Sequence, residues 1–182
     1  MVPCQQGDLG AGGGPFGHRH ALPIALPIAF WALRGEWLTS GKGLILFREN
    51  DKTYKETPFY LAHLLFSEHY GTTLVSSRLE DGPKAQTFSY YTTVNADGNK
   101  LYITFINYDA SREFPTYITL ADFNAKSEAM AFELNCGGDL GPDCINAREA
   151  VISSKPLNNI SSNFLYLFPP HSVTVLELDR LP

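Results

Sequence analysis

From Leu74 to Leu178 the chain is cut into short runs of apolar, β-branched and aromatic residues, set off from one another by Gly, Pro, Asn and Asp. Runs of this length suit strands and are too short for helices, so the spacing predicts an antiparallel β-sandwich. The predicted strands cover residues 74–79, 87–95, 100–108, 116–120, 128–134 and 172–178, with a less regular one over 150–153. Within the second, Phe88, Tyr90 and Val94 alternate with Ser89, Tyr91 and Thr93, as if one face entered a core and the other met water. Leu101, Ile103 and Phe105 repeat the pattern on the third. Between them lies Ala96-Asp97-Gly98-Asn99, where Asp-Gly can supply the positive φ of a tight hairpin. The last strand is different: Val173 and Val175 oppose Thr174, Leu176 and Leu178, so both of its faces call for cover. Pro169 and Pro170 cannot donate to a ladder and mark the extended approach to it.

Upstream, Leu44 to Phe47 reads as a short strand before the polar cluster 48–56. Pro58 suits the first turn of a helix, with Thr57 as its N-cap, Leu61, Leu64 and Leu65 at helical spacing, and Gly71 as a left-handed cap. Residues 1–36 differ in character, with a glycine-rich stretch from Gly10 to Gly17 and the tandem Ala21-Leu-Pro-Ile, Ala25-Leu-Pro-Ile. The apolar run there is short and broken by Pro23 and Pro27, which argues against a membrane span. His18-Arg19-His20 ahead of it imitates the start of a signal peptide, whereas the long Gly-rich lead and the lack of a small-x-small site favour a plain leader.

A chain of 182 residues with 44% hydrophobic content can form one domain without metals or disulfide staples. A net charge of −5 and the absence of any Lys/Arg cluster argue against nucleic acid as a partner. Other catalytic readings find no support, since neither a Gly-x-Ser-x-Gly nucleophile elbow nor a glycine-rich phosphate loop occurs before a plausible helix, and no cofactor is expected. His18 and His20, with Cys4 nearby, lack the further ligands a zinc site needs, and His63 and His69 are six apart and share no helix face, so no metal is expected. Cys136 and Cys144 bracket a turn-rich segment that either closes as a small disulfide loop or stays reduced. Asn159-Ile160-Ser161 is a glycosylation sequon, and these two features together lean toward an extracellular location without fixing it.

Three stretches carry a resemblance: Thr57-Pro-Phe-Tyr-Leu-Ala-His-Leu-Leu-Phe-Ser67, Asn95-Ala-Asp-Gly-Asn-Lys-Leu-Tyr-Ile-Thr-Phe-Ile-Asn107, and Phe168-Pro-Pro-His-Ser-Val-Thr-Val-Leu-Glu-Leu178. In this order the chain resembles, over residues 43–181, the C-terminal β-sandwich of retaining clan A glycosidases, above all the α-L-arabinofuranosidases of glycoside hydrolase family 51. The resemblance implies an all-β, jelly-roll-like antiparallel sandwich over 37–182 with one short helix, preceded over 1–36 by a leader or barrel remnant. It further implies a (β/α)8 catalytic barrel as partner, in cis or in trans, and a parent enzyme that removes arabinofuranosyl branches from plant cell-wall polysaccharides.

A retaining glycosidase needs two carboxyl groups about 5 Å apart, presented by the barrel. The family's acid/base motif is Asn-Glu, and here Glu49-Asn50 runs in reverse. Glu36-Trp37 has the Glu-aromatic order of the nucleophile but no barrel strands around it. No catalytic residue is therefore assigned, and the chain is expected to be the noncatalytic part of such an enzyme. The alternative is a stand-alone carbohydrate-binding module for xylan or arabinoxylan, with outward Tyr91, Tyr102, Tyr108 or Tyr117 stacking on sugars. If a barrel partner is missing, helix 58–70 and strand 172–178 should expose an apolar patch.

Overall fold

A computed structural model of the chain describes residues 45–48, 53–56, 58–80, 88–109, 111–135 and 150–182. In chain order the elements are β1 (Ile45–Arg48), β2 (Thr53–Glu56), α1 (Pro58–Glu68), β3 (Thr73–Val75), β4 (Phe88–Val94), β5 (Lys100–Asn107), β6 (Phe114–Thr119), β7 (Ala125–Asn135), β8 (Val151–Asn158), β9 (Asn163–Phe168) and β10 (Ser172–Arg180). An antiparallel sheet in the order β3-β4-β5-β10-β7-β8 forms one layer, and the β6-β9 ribbon forms the other. The all-β sandwich expected from the sequence is the fold found. β1 and β2 pair separately as a hairpin, so Thr53–Glu56, read above as part of a polar cluster, is a strand.

β10 lies at the centre, paired with β5 on one side and β7 on the other. Its alternating side chains feed two cores. Leu176 and Leu178 join Phe88, Leu101, Phe105, Phe114, Phe164, Tyr166 and Phe168 between the two layers. Val173 and Val175 point the other way and pack with Tyr91, Tyr102, Ile106 and Leu134 under Leu61, Leu65 and Phe66 of α1. The molecule is thus three layers deep at its centre, with ribbon, main sheet and helix in succession. Cover on both faces explains why β4 carries apolar and aromatic residues on both sides, and it corrects the expectation that Tyr91 and Thr93 meet water. It also corrects the expected exposed patch, because α1 and β10 bury one another, and Val175 is 0% exposed.

The predicted hairpin is present, with four residues between Asn95 and Lys100. Positive φ falls on Gly98 (67°) and not on Asp97. The turn is held by Asn95, whose Oδ1 accepts from the backbone N–H of Asn99 and of Lys100, both at 3.0 Å. α1 ends in the same economical way, with the His69 N–H donating to Leu65 O at 3.0 Å. Gly71 does not adopt the left-handed conformation expected of it. Its reason is proximity: its N–H donates to buried Thr93 Oγ1 at 2.9 Å, and a Cβ there would sit 2.7 Å from the Val94 nitrogen and closer still to the Val94 carbonyl. The Thr57 cap lies outside the described residues.

β8 runs five residues beyond the predicted 150–153 segment and contains Pro156, which the ladder tolerates because β8 pairs only with β7 and forms an edge. β9 was not predicted. Its sequence Asn-Phe-Leu-Tyr-Leu-Phe is apolar at successive positions, so no hydropathy alternation announces the burial alternation that sends Phe164, Tyr166 and Phe168 inward.

Candidate functional site

The resembled enzymes work by a carboxyl pair, so the carboxylates of the chain are the groups that bear on chemistry. Among the described residues the two most enclosed are Glu133 on β7 and Glu177 on β10, and the pleat directs them to opposite faces of the main sheet. Glu133 accepts from the Tyr166 hydroxyl at 2.5 Å on the ribbon side and pairs with Lys155 Nζ at 2.7 Å. Lys155 also lies 5.0 Å from the centre of the Tyr166 ring. Burial, reinforced by the bond to Glu133, pushes the Tyr166 hydroxyl well above the ordinary tyrosine range. Tyr166 therefore remains a donor, and the cluster fastens the ribbon to the sheet.

On the helix side, Glu177 Oε2 accepts from His69 Nδ1 at 3.1 Å, while its other oxygen is bound by Lys100 Nζ. The His69 ring stacks on Phe132 with centroids 3.5 Å apart. The His69 bond leads in holding the Glu177 carboxyl below the usual carboxylate range, and Lys100 adds to it, against desolvation that acts upward. A folded-state value below the unfolded one means that Glu177 stabilises the fold above the unfolded carboxylate pKa and that this contribution is lost as pH falls through the folded value. The melting midpoint should therefore drop on acidification below about pH 4. Glu177→Gln should lower it by about 5 °C at pH 7 and shallow the acid limb; circular dichroism melts between neutral and acid pH check both. An acid limb as steep in the variant as in the wild type would place the effect elsewhere.

Glu133 and Glu177, separated by the sheet and each already bonded to a cation, do not form a catalytic pair. Among the described residues no group of three or more His, Cys, Asp or Glu is placed to hold a metal ion. Nor is any described helix long and apolar enough to cross a membrane.

The four tyrosines singled out for sugar stacking are not brought together. Tyr91 (9% exposed) and Tyr102 (7%) are buried under α1, where Tyr91 packs against Phe66 and Tyr70 at 6.3 and 5.9 Å, so the outward placement expected of both is corrected. Tyr108 is half-buried and shares a hydrogen bond of 2.6 Å with Ser89 Oγ. Tyr117 alone of the four is freely exposed, at 81%, on the outer face of the ribbon. There it lies opposite Leu165, next to the pair Pro115–Leu167, and Leu165 and Leu167 are themselves exposed. Asn159 is exposed in the β8–β9 turn with φ 61°. Cys136, Cys144, Glu36, Glu49, Asn50, His18 and His20 lie outside the described residues.

Sequence reasoning missed Asn107, which is buried at the end of β5. Its Nδ2 donates to the carbonyls of Arg112 and Pro169, both at 2.8 Å, and its Oδ1 accepts from the Asp109 N–H at 3.0 Å. One amide thus ties two loops at that end of the sandwich, and a polar residue closing an apolar strand was the available signal.

This architecture is shared with one portion of several glycoside hydrolases. The α-L-arabinofuranosidase from Thermotoga maritima, solved with arabinose, superposes with a TM-score of 0.62 at 24% identity over 75% of this chain and 31% of its own. The family 51 α-L-arabinofuranosidase of Thermotoga petrophila gives 0.58 at 22% identity over 69% and 30%. A family 44 xyloglucanase from Paenibacillus polymyxa gives 0.53 at 17% identity over 67% and 23%. The chain therefore spans less than a third of the length of the enzymes whose fold it shares. No family model and no curated protein sequence matches the chain.

Proposed function

We propose that this chain is the noncatalytic C-terminal β-sandwich of an α-L-arabinofuranosidase-like glycoside hydrolase that acts on arabinose-containing plant polysaccharides. The observation that carries the reading is the partial match: three quarters of the chain superposes on under a third of an arabinofuranosidase. The enclosed carboxylates support it, because both fasten layers of the sandwich together. Helix α1, clamped on the main sheet by Leu61, Leu65, Phe66 and the His69–Glu177 bond, is the element through which a barrel in cis or in trans would join. Half-buried His63 and Leu64 lie on that helix. The sandwich would then hold the last helical connection of the barrel in place without contributing to the chemistry.

The purified chain should not hydrolyse 4-nitrophenyl α-L-arabinofuranoside or β-xyloside above a blank. Turnover that disappears in Glu36→Gln would overturn the proposal, as would turnover that survives it. The alternative of a stand-alone module for xylan or arabinoxylan retains Tyr117 and loses Tyr91 and Tyr102 as stacking residues.

A further inference from the structure

We infer that the outer face of the β6–β9 ribbon is a binding surface for neutral glycan chains. Three cross-strand pairs form it: Pro115–Leu167, Tyr117–Leu165 and Thr119–Asn163. The burial pattern of both strands turns these six side chains outward while Phe114, Phe164, Tyr166 and Phe168 fill the core beneath them. Tyr117 is 81% exposed, and Leu165 (48%) and Leu167 (50%) beside it extend the apolar patch on this face. Aromatic rings present a large rigid face at low entropy cost, suited to the C–H face of a sugar.

Polar groups stand where such a ligand would need them. Thr119 Oγ1 donates to Asn163 Oδ1 at 2.7 Å, which leaves the amide N–H groups of Asn163 available to sugar hydroxyls. None of the six side chains is charged, so the face matches an uncharged polymer and offers no counter-charge to an anionic one. Size points the same way. Three pairs two residues apart on two strands span about 14 Å by 10 Å, far short of the roughly 800 Å² per partner of a standard protein interface, whereas a few sugar units would cover it.

The surface lies on the side of the main sheet opposite α1, so it is independent of the proposed barrel contact and would remain open with a barrel docked at the helix. Affinity electrophoresis of the whole chain through gels containing arabinoxylan, debranched arabinan or xyloglucan, with polygalacturonate as the anionic control, tests the assignment. At least one neutral polymer should retard the wild type and polygalacturonate should not. Tyr117→Ala should weaken retardation roughly tenfold or more, as truncation of a central aromatic anchor does, and Tyr117→Phe should retain it. If Tyr117→Ala shifts the melting midpoint, Tyr117→Leu, which keeps apolar bulk without the ring, reads the same loss. Absence of retardation in every neutral polymer, or retardation unchanged in the Ala and Leu variants, would overturn the inference. So would self-association in sedimentation that Tyr117→Ala abolishes in the absence of glycan retardation, which would assign the face to a second copy.

Discussion

Phe168→Ala should cost about 3–5 kcal/mol of folding stability, the range for removing a buried phenylalanine from a close-packed core. The side chain is 1% exposed and sits where the two layers meet, its ring stacked on Phe105 at 4.0 Å and tilted against Tyr166 at 4.8 Å. Phe105 in turn stacks on Phe88 at 5.3 Å and touches Phe114 at 6.2 Å, so one ring is shared by both sheets. Truncation opens a void that the ladders on either side prevent from closing. Because domains are stable by only about 5–15 kcal/mol, the variant should melt at least about 8 °C lower or accumulate unfolded. Denaturant unfolding followed by circular dichroism measures it, and a loss under about 1 kcal/mol would mean that the ribbon can settle onto the main sheet without this ring. Phe168→Leu should recover a substantial part of the loss by refilling most of the volume.

Gly71→Ala should be nearly as damaging, although it adds a single methyl group. The new Cβ would lie 2.7 Å from the Val94 nitrogen and nearer to the Val94 carbonyl, and backbone in a paired strand cannot step aside as a side-chain tip can. Relief requires moving either β4 or the segment between α1 and β3, and the second movement breaks the bond from Gly71 N–H to Thr93 Oγ1. A cost of about 2–4 kcal/mol is expected, larger for Gly71→Val. Its location gives it a second signature. Hydrogen exchange should quicken first in α1, and the pocket formed by Tyr91, Tyr102 and Val175 beneath the helix should become accessible, whereas the core between the two layers should keep its protection. Uniform loss of protection across both cores would show that helix and sandwich unfold as one unit.

These two residues show how far the amino-acid order could be read. Alternation and turn chemistry were sufficient to place β4, β5 and β10 and the Asn95–Lys100 hairpin, because a half-buried strand and a tight turn each impose a local residue pattern. Local pattern also marked β10 as covered on both faces, since apolar residues at consecutive positions leave no side for water. What covers those faces was beyond its reach. The same pattern in β9 passed unnoticed, and Tyr91 and Tyr102 read as outward rings because Ser, Thr and Tyr look like a solvent face until a helix is laid over them.

Gly71 was legible as a constrained position, but for the wrong reason. A helix-terminal glycine suggests left-handed backbone, and only the approach of β4, more than twenty residues later, reveals that the missing Cβ is what matters. Among the candidate site residues, the sequence singled out four tyrosines without distinguishing them, and tertiary structure alone decided that Tyr117 faces out while Tyr91 and Tyr102 do not. The distinction is physical. Periodicities of two and of three to four residues are written along the chain and survive without a fold, so they specify which element each segment becomes. Which element lies over which face depends on contacts between segments far apart in sequence, where no local period exists to be read. For this protein, those contacts place α1 over one side of the main sheet and the β6–β9 ribbon over the other, and so leave the ribbon's outer face open.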